Sequence, residues 1–250
     1  MTTRTAAAAE ISPRERIIVA LDVSTPDAAR DLVRELRGQV GAFKIGMQLF
    51  TAAGPSIVRE IVELGERVFL DLKFHDIPNT VANASLEAAR LGVWMLNVHA
   101  SGGAEMMRRT VEYVTISCEK EGIERPLLIG VTVLTSSDAS HLAELNIGGS
   151  VSDQVVRLAS LAAYSGLDGV VASPQEVVPI RKALGAKPFL LVTPGIRPLN
   201  AAADDQKRVT TFGDAIRLGT DYAVIGRPIT AADDKLMIIE EMLREVETIS

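Results

Sequence analysis

The chain reads as a single (β/α)₈ barrel of the TIM type, and three observations predict it. Eight short apolar runs alternate with longer amphipathic stretches, the length of 250 residues suits one such barrel, and polar residues collect where the apolar runs finish. An open doubly wound sheet would use fewer strands and a glycine-rich first turn, and ALDVSTPD at 20–27 has none.

The first run, RIIVALD at 16–22, is apolar up to Asp22, as a parallel strand covered on both faces should be. PDAARDLVRELRG at 26–38 follows, with proline where a helix begins and glycine where it ends. AFKIGM at 42–47 is the second strand and carries Lys44; GPSIVREIVELG at 54–65 is its helix. RVFLDLK at 67–73 is the third, before the helical NTVANASLEAARLG at 79–92. WMLNVHA (94–100), LLIGVTV (127–133), DGVVAS (168–173), FLLVTPG (189–195) and YAVIGR (222–227) complete the eight, and DKLMIIEEMLREVE at 234–247 is the last helix. Residues 15–250 form the barrel domain in this reading. Residues 1–14, alanine-rich and without an apolar core of signal-peptide length, form a loose tail.

Composition narrows the function. A net charge of −6 argues against a general polyanion binder, so nucleic acid is not expected as a partner. No stretch reaches membrane-spanning length, and the single cysteine, Cys118, rules out an internal disulfide, so a cytoplasmic location is expected.

The most informative stretch is FLDLKFHDIPNT at 69–80, which sets charges where a buried strand normally has none. Strand alternation puts Asp71 and Lys73 on one side and Leu70 and Leu72 on the other, and Asp76 follows at once. Carboxylate, ammonium and carboxylate so close together couple their charge states, which in a cleft makes a candidate proton-transfer site. Asp22, Lys44, Asp71, Lys73, His99, Thr132, Ser173 and Arg227 lie at or near strand ends, with Thr135 in the loop after the fifth strand. Together they describe a polar mouth on an apolar barrel, where this fold keeps its active sites.

Phosphate is suggested at the end of the chain. Gly226 in VIGRPIT allows close backbone approach, Arg227 offers a fork of donors, and VTPGIRP adds Gly195 and Arg197. The loops after strands seven and eight hold a phosphate in many barrels of this fold. The long segment IRPLNAAADDQKR at 196–208 reads as a lid, with Gln206 reaching the ligand. His75, His99 and His141 show no metal-ligand spacing, and Lys73 stands where a divalent ion would need to sit between the two carboxylates, so no metal is expected.

With Asp22, Lys44, DLKFHDIPNT, Thr135, VTPGIR and VIGRPIT in this order, the sequence resembles the orotidine 5′-phosphate decarboxylase family from about residue 16 to 245. The resemblance implies cofactor-free loss of CO₂ from orotidine 5′-phosphate to give UMP, the last step of pyrimidine nucleotide synthesis. It implies that Lys73 stabilises the charge left at ring C6 and protonates it, that Asp71 lies beside the departing CO₂, and that Lys44 and Asp76 complete an alternating charge array. It further implies a homodimer with shared sites, Asp76 and Thr80 coming from the partner chain. Asp22 and Lys44 match ribose contacts, Thr135 a pyrimidine contact, and Arg197, Gln206, Gly226 and Arg227 the phosphate and lid region. Two alternatives remain open: a Mg²⁺-dependent sugar-phosphate relative of the 3-keto-gulonate-phosphate decarboxylase or hexulose-phosphate synthase type, and a non-catalytic nucleotide-binding barrel. A cation at Lys44 speaks against the first, and a carboxylate at Asp71, where an anionic ligand must sit, against the second.

Overall fold

The computed structural model describes residues 11–197 and 210–247. Eight parallel strands, β1 (Ile17–Ala20), β2 (Ala42–Gly46), β3 (Val68–Phe74), β4 (Met95–His99), β5 (Leu127–Val131), β6 (Gly169–Val171), β7 (Leu190–Pro194) and β8 (Tyr222–Ile225), close in sequence order, β8 pairing with β1. Each lies within one of the eight expected runs, except that β3 continues to Phe74. The open-sheet alternative is excluded by the closure.

Around the barrel lie α1 (Pro26–Leu36), α2 (Met47–Ala53), α3 (Ser56–Glu63), α4 (Pro78–Arg90), α5 (Gly103–Glu121), α6 (Ala139–Glu144), α7 (Val151–Tyr164), α8 (Val177–Leu184), α9 (Phe212–Leu218), α10 (Arg227–Thr230) and α11 (Lys235–Glu247). Local chemistry explains their ends. Thr25 caps α1 by accepting from the Ala28 N–H, ahead of Pro26, and Ala29, Leu32, Val33 and Leu36 give it one buried stripe. Ser150 and Asp153 form a reciprocal capping box on α7, and α5 ends on Gly122 in the left-handed conformation. Cys118 is buried in α5, where burial pushes its thiol pKa up and disfavours the reactive thiolate.

Strand alternation divides the core in two. Ile18, Ala20, Ala42, Phe69, Met95, Ile129, Val192, Tyr222 and Val224 fill the barrel interior, while their strand neighbours pack outward under the helices. Ile11 covers the lower end of this interior cluster, together with Trp94, whose ring meets Tyr222 edge-on at 5.0 Å. At the same end Asp168 and Asp221 act as staples. Asp168 accepts from the Leu128 N–H and from Arg125, and Asp221 from the Leu191 N–H and from Arg181. A barrel fixed at its base leaves the opposite rim to carry side chains chosen for chemistry.

Candidate active site

The site is built on the rim by β1, β2, β3 and β4. Interior-facing positions continue upward from the apolar plug: Ala20 leads to Asp22, Ala42 to Lys44, Phe69 to Asp71 and Lys73, and Met95 to Asn97 and His99. Lys44 Nζ lies 3.0 Å from Asp22 Oδ1 and 3.4 Å from Asp71 Oδ2, and Lys73 Nζ lies 2.7 Å from Asp71 Oδ1. Asp22, Lys44, Asp71 and Lys73 therefore form one alternating row drawn from three strands. Lys44 and Asp71 keep 10% and 13% of their side-chain exposure, whereas Asp22 keeps 61%, which leaves Asp22 open to a ligand.

Burial alone would push the Asp71 carboxyl up. Lys44 and Lys73, with hydrogen bonds from Lys73 and Asn97, outweigh it and hold the group below the ordinary carboxylate range. Asp71 is thus a fixed anion between two cations. The backbone helps to aim Lys73: β3 loses regular register against β4 between Leu70 and Phe74, and Lys73 has φ 53°, a left-handed conformation costly for a residue with a Cβ. Leu70, Leu72 and Phe74 turn outward beneath α3 and α4, as alternation requires.

Sequence reasoning did not single out Asn97. It is 1% exposed, its Nδ2 donates to Asp71 Oδ1 at 2.7 Å, and its Oδ1 accepts from the Lys73 N–H at 2.8 Å. The available signal was an amide within the otherwise apolar WMLNV. His99, at the end of the same strand, is half-buried; burial lowers its pKa, and His75 and Lys73 push the same way against Asp71. Its ring lies 5.5 Å from that of His75, which is exposed beyond the end of β3.

Asp76 does not join the row in its own chain. Its carboxylate accepts from the Ile77 N–H at 2.7 Å, it is exposed, and no ion pair links it to Lys73. The close three-charge cluster suggested by sequence spacing is therefore not formed within one chain: β3 ends at Phe74, and Asp76 lies exposed on the short turn that leads into α4 at Pro78. Thr80, in the first turn of α4, is likewise exposed. Thr132 faces away from the mouth, and its hydroxyl donates to the Val171 carbonyl at 2.8 Å. Ser173 caps the short turn 174–176.

Over Lys44, Asp71 and Lys73 lies a cavity of about 190 Å³, with Phe69, Val131, Val171 and Pro194 as apolar walls and Thr135 at its edge. Thr135 and Pro194 also border an adjoining hollow of about 590 Å³ that reaches Ser173, Gly195 and Thr210. The two hollows share Val133, Leu134, Thr135 and Pro194; the smaller carries Lys44, Asp71 and Lys73, and the larger the carboxylates Asp138 and Glu176. Gly226 has room around it: a Cβ there would stand 3.7 Å from Ala20 Cβ and 3.9 Å from Asp22 Oδ2, so its own neighbours do not require glycine. Arg227 is exposed at the start of the single-turn α10 and makes no ion pair among the described residues. The Arg197 N–H bonds the Thr210 carbonyl, joining the two ends of segment 198–209. Residues 198–208 of the expected lid, Gln206 among them, lie outside the described residues.

Fold and site together define a barrel enzyme whose polar centre is a lysine–carboxylate row at the C-terminal rim. The chain belongs to the orotidine 5′-phosphate decarboxylase / HUMPS family, whose model matches residues 15–242. It is 51% identical over 241 residues to the orotidine 5′-phosphate decarboxylase of Syntrophotalea carbinolica, covering 95% of this chain and 98% of that protein. With the orotidine 5′-phosphate decarboxylase of Geobacter sulfurreducens it shares 54% identity over 233 residues, 93% of this chain and 96% of the other. The crystal structure of orotidine 5′-phosphate decarboxylase from Lactobacillus acidophilus superposes with a TM-score of 0.81 at 37% identity, covering 92% and 98% of the two chains.

Proposed function

We propose that this protein removes CO₂ from orotidine 5′-phosphate to give UMP, with Lys73 as the proton donor. The observation that carries the reading is the Asp22, Lys44, Asp71, Lys73 row beneath the cavity. Breaking the bond from ring C6 to the carboxylate releases CO₂ and leaves the electron pair on C6, which has no conjugated sink in the ring. A positive charge already fixed beside that carbon lowers the barrier without reorganisation, and Lys73 then transfers a proton from Nζ to C6. Asp71 holds Lys73 in position and places a negative charge near the substrate carboxylate, an unfavourable contact relieved as neutral CO₂ departs.

The rest of the cleft is assigned by chemistry. Asp22 and Lys44 hold ribose hydroxyls, and Thr135 meets the pyrimidine. Arg197, Gly226 and Arg227, with Gln206, take the phosphate. Phosphate contacts far from C6 supply binding energy that assembles the site around the reacting carbon. Asp76 and Thr80, both exposed and outside the charged row of their own chain, serve the site of a second copy in a two-fold dimer.

The Mg²⁺-dependent sugar-phosphate reading shares the family but not the charge pattern. Lys44 and Lys73 each approach one oxygen of Asp71, at 3.4 and 2.7 Å, so two cations already stand where a divalent ion would neutralise that carboxylate. Purified protein mixed with orotidine 5′-phosphate in excess EDTA should change the ultraviolet absorbance as UMP forms. Absence of turnover would refute the decarboxylase reading, and turnover only with added Mg²⁺ would favour the alternative.

A further inference from the structure

We propose that Asn97 is a positioning residue for this reaction, locking the Asp71 carboxylate and the Lys73 backbone into the one arrangement that aims the ammonium at the reacting carbon. The inference rests on the decarboxylase reading for its kinetic part. Its geometry is independent of it.

Three observations carry the assignment. Both ends of the amide are used, Oδ1 accepting from the Lys73 N–H and Nδ2 donating to Asp71 Oδ1, and a side-chain amide carries that acceptor and that donor on separate atoms of one planar group. The group is buried, so neither partner can exchange it for water without cost. Finally, the accepted N–H belongs to the residue with φ 53°, at the point where β3 slips register against β4 and a ladder bond is missing. A left-handed lysine persists only if its surroundings hold it. Asn97 supplies the bond that the irregular strand has lost. The same Asp71 oxygen receives Lys73 Nζ at 2.7 Å, so Asn97 and the ammonium fix one carboxylate oxygen from two directions, leaving the other to Lys44 at 3.4 Å.

The test compares Asn97→Ala with the isosteric Asn97→Asp. Asn97→Ala should lower kcat by about 10- to 100-fold, the scale of a misplacement of about 1 Å, with a smaller change in KM, because the ligand contacts are elsewhere. Asn97→Asp keeps the acceptor for the Lys73 N–H but sets a second carboxyl against Asp71. Its kcat should rise as pH falls, since a proton shared between the two carboxyls restores the donor, while Asn97→Ala should show no such rise. Loss of packing alone would give both variants the wild-type pH profile, which would overturn the proposal, as would an Asn97→Ala enzyme with kcat within about twofold of wild type. A second readout needs no turnover: in a ¹³C titration, the Asp71 carboxyl of Asn97→Ala should titrate higher than in the unaltered protein. An unchanged Asp71 titration refutes the assignment even if the enzyme decarboxylates normally; an unaltered protein that fails to turn over refutes the decarboxylase reading and leaves the titration to decide Asn97.

Discussion

Replacing Lys73 by alanine removes the positive charge assigned to the developing carbanion together with its proton. At about 4 Å and an effective dielectric of about 20, one unit charge beside another is worth about 4 kcal/mol. That corresponds to about 10³-fold in rate, before the lost proton is counted. The fold should survive, because Asp71 keeps Lys44 at 3.4 Å and the Asn97 amide at 2.7 Å, and the removed side chain is 25% exposed rather than part of the apolar plug. Decarboxylation of orotidine 5′-phosphate followed in the ultraviolet, beside a thermal melt on the same preparation, separates the two effects. A melt close to wild type with turnover reduced at least about 10²-fold is the expected result. Turnover above about a tenth of wild type from a properly folded variant would refute the electrostatic role of Lys73.

Three more outcomes follow from the same geometry. Lys73→Ala and Asp76→Ala proteins, each nearly inactive alone, should on co-refolding regain roughly a quarter of all sites, because random two-fold pairing creates heterodimers with one intact site; verified heterodimers without activity would place Asp76 in its own chain's site. Arg227→Ala should raise the Kd of UMP strongly but barely change that of uridine, and an equal effect on both ligands would separate Arg227 from the phosphate. Because the Asp71 carboxyl is held below its unfolded value, its contribution to stability is present above the ordinary carboxylate range and is lost as pH falls through the lower folded value. The difference in stability between wild type and Asp71→Asn should therefore narrow on acidification below about pH 4, and a pH-independent difference would contradict the ion-pair account.

The sequence by itself determined the architecture and most of the catalytic row. Eight apolar runs bounded by turn chemistry leave few alternatives to a closed parallel barrel, and period-two alternation assigns Asp71 and Lys73 to the mouth without reference to any other strand. Asp22 and Lys44 were legible for a similar reason: polar groups at the upper ends of buried strands have only the rim to occupy. Tertiary structure alone decided which of these groups touch. The 3.4 Å contact between Lys44 and Asp71 joins residues on adjacent strands and depends on the register of β2 against β3. It also kept Asp76 out of the row that holds Lys73, three positions away in sequence: Asp76 lies exposed on the turn between β3 and α4 and accepts from the Ile77 N–H, which local spacing does not reveal. Asn97 was hidden because its value lies in two partners on β3, one created by an irregular register and a left-handed backbone. Hydrophobic periodicity reports which face a side chain occupies; long-range register fixes what it meets there.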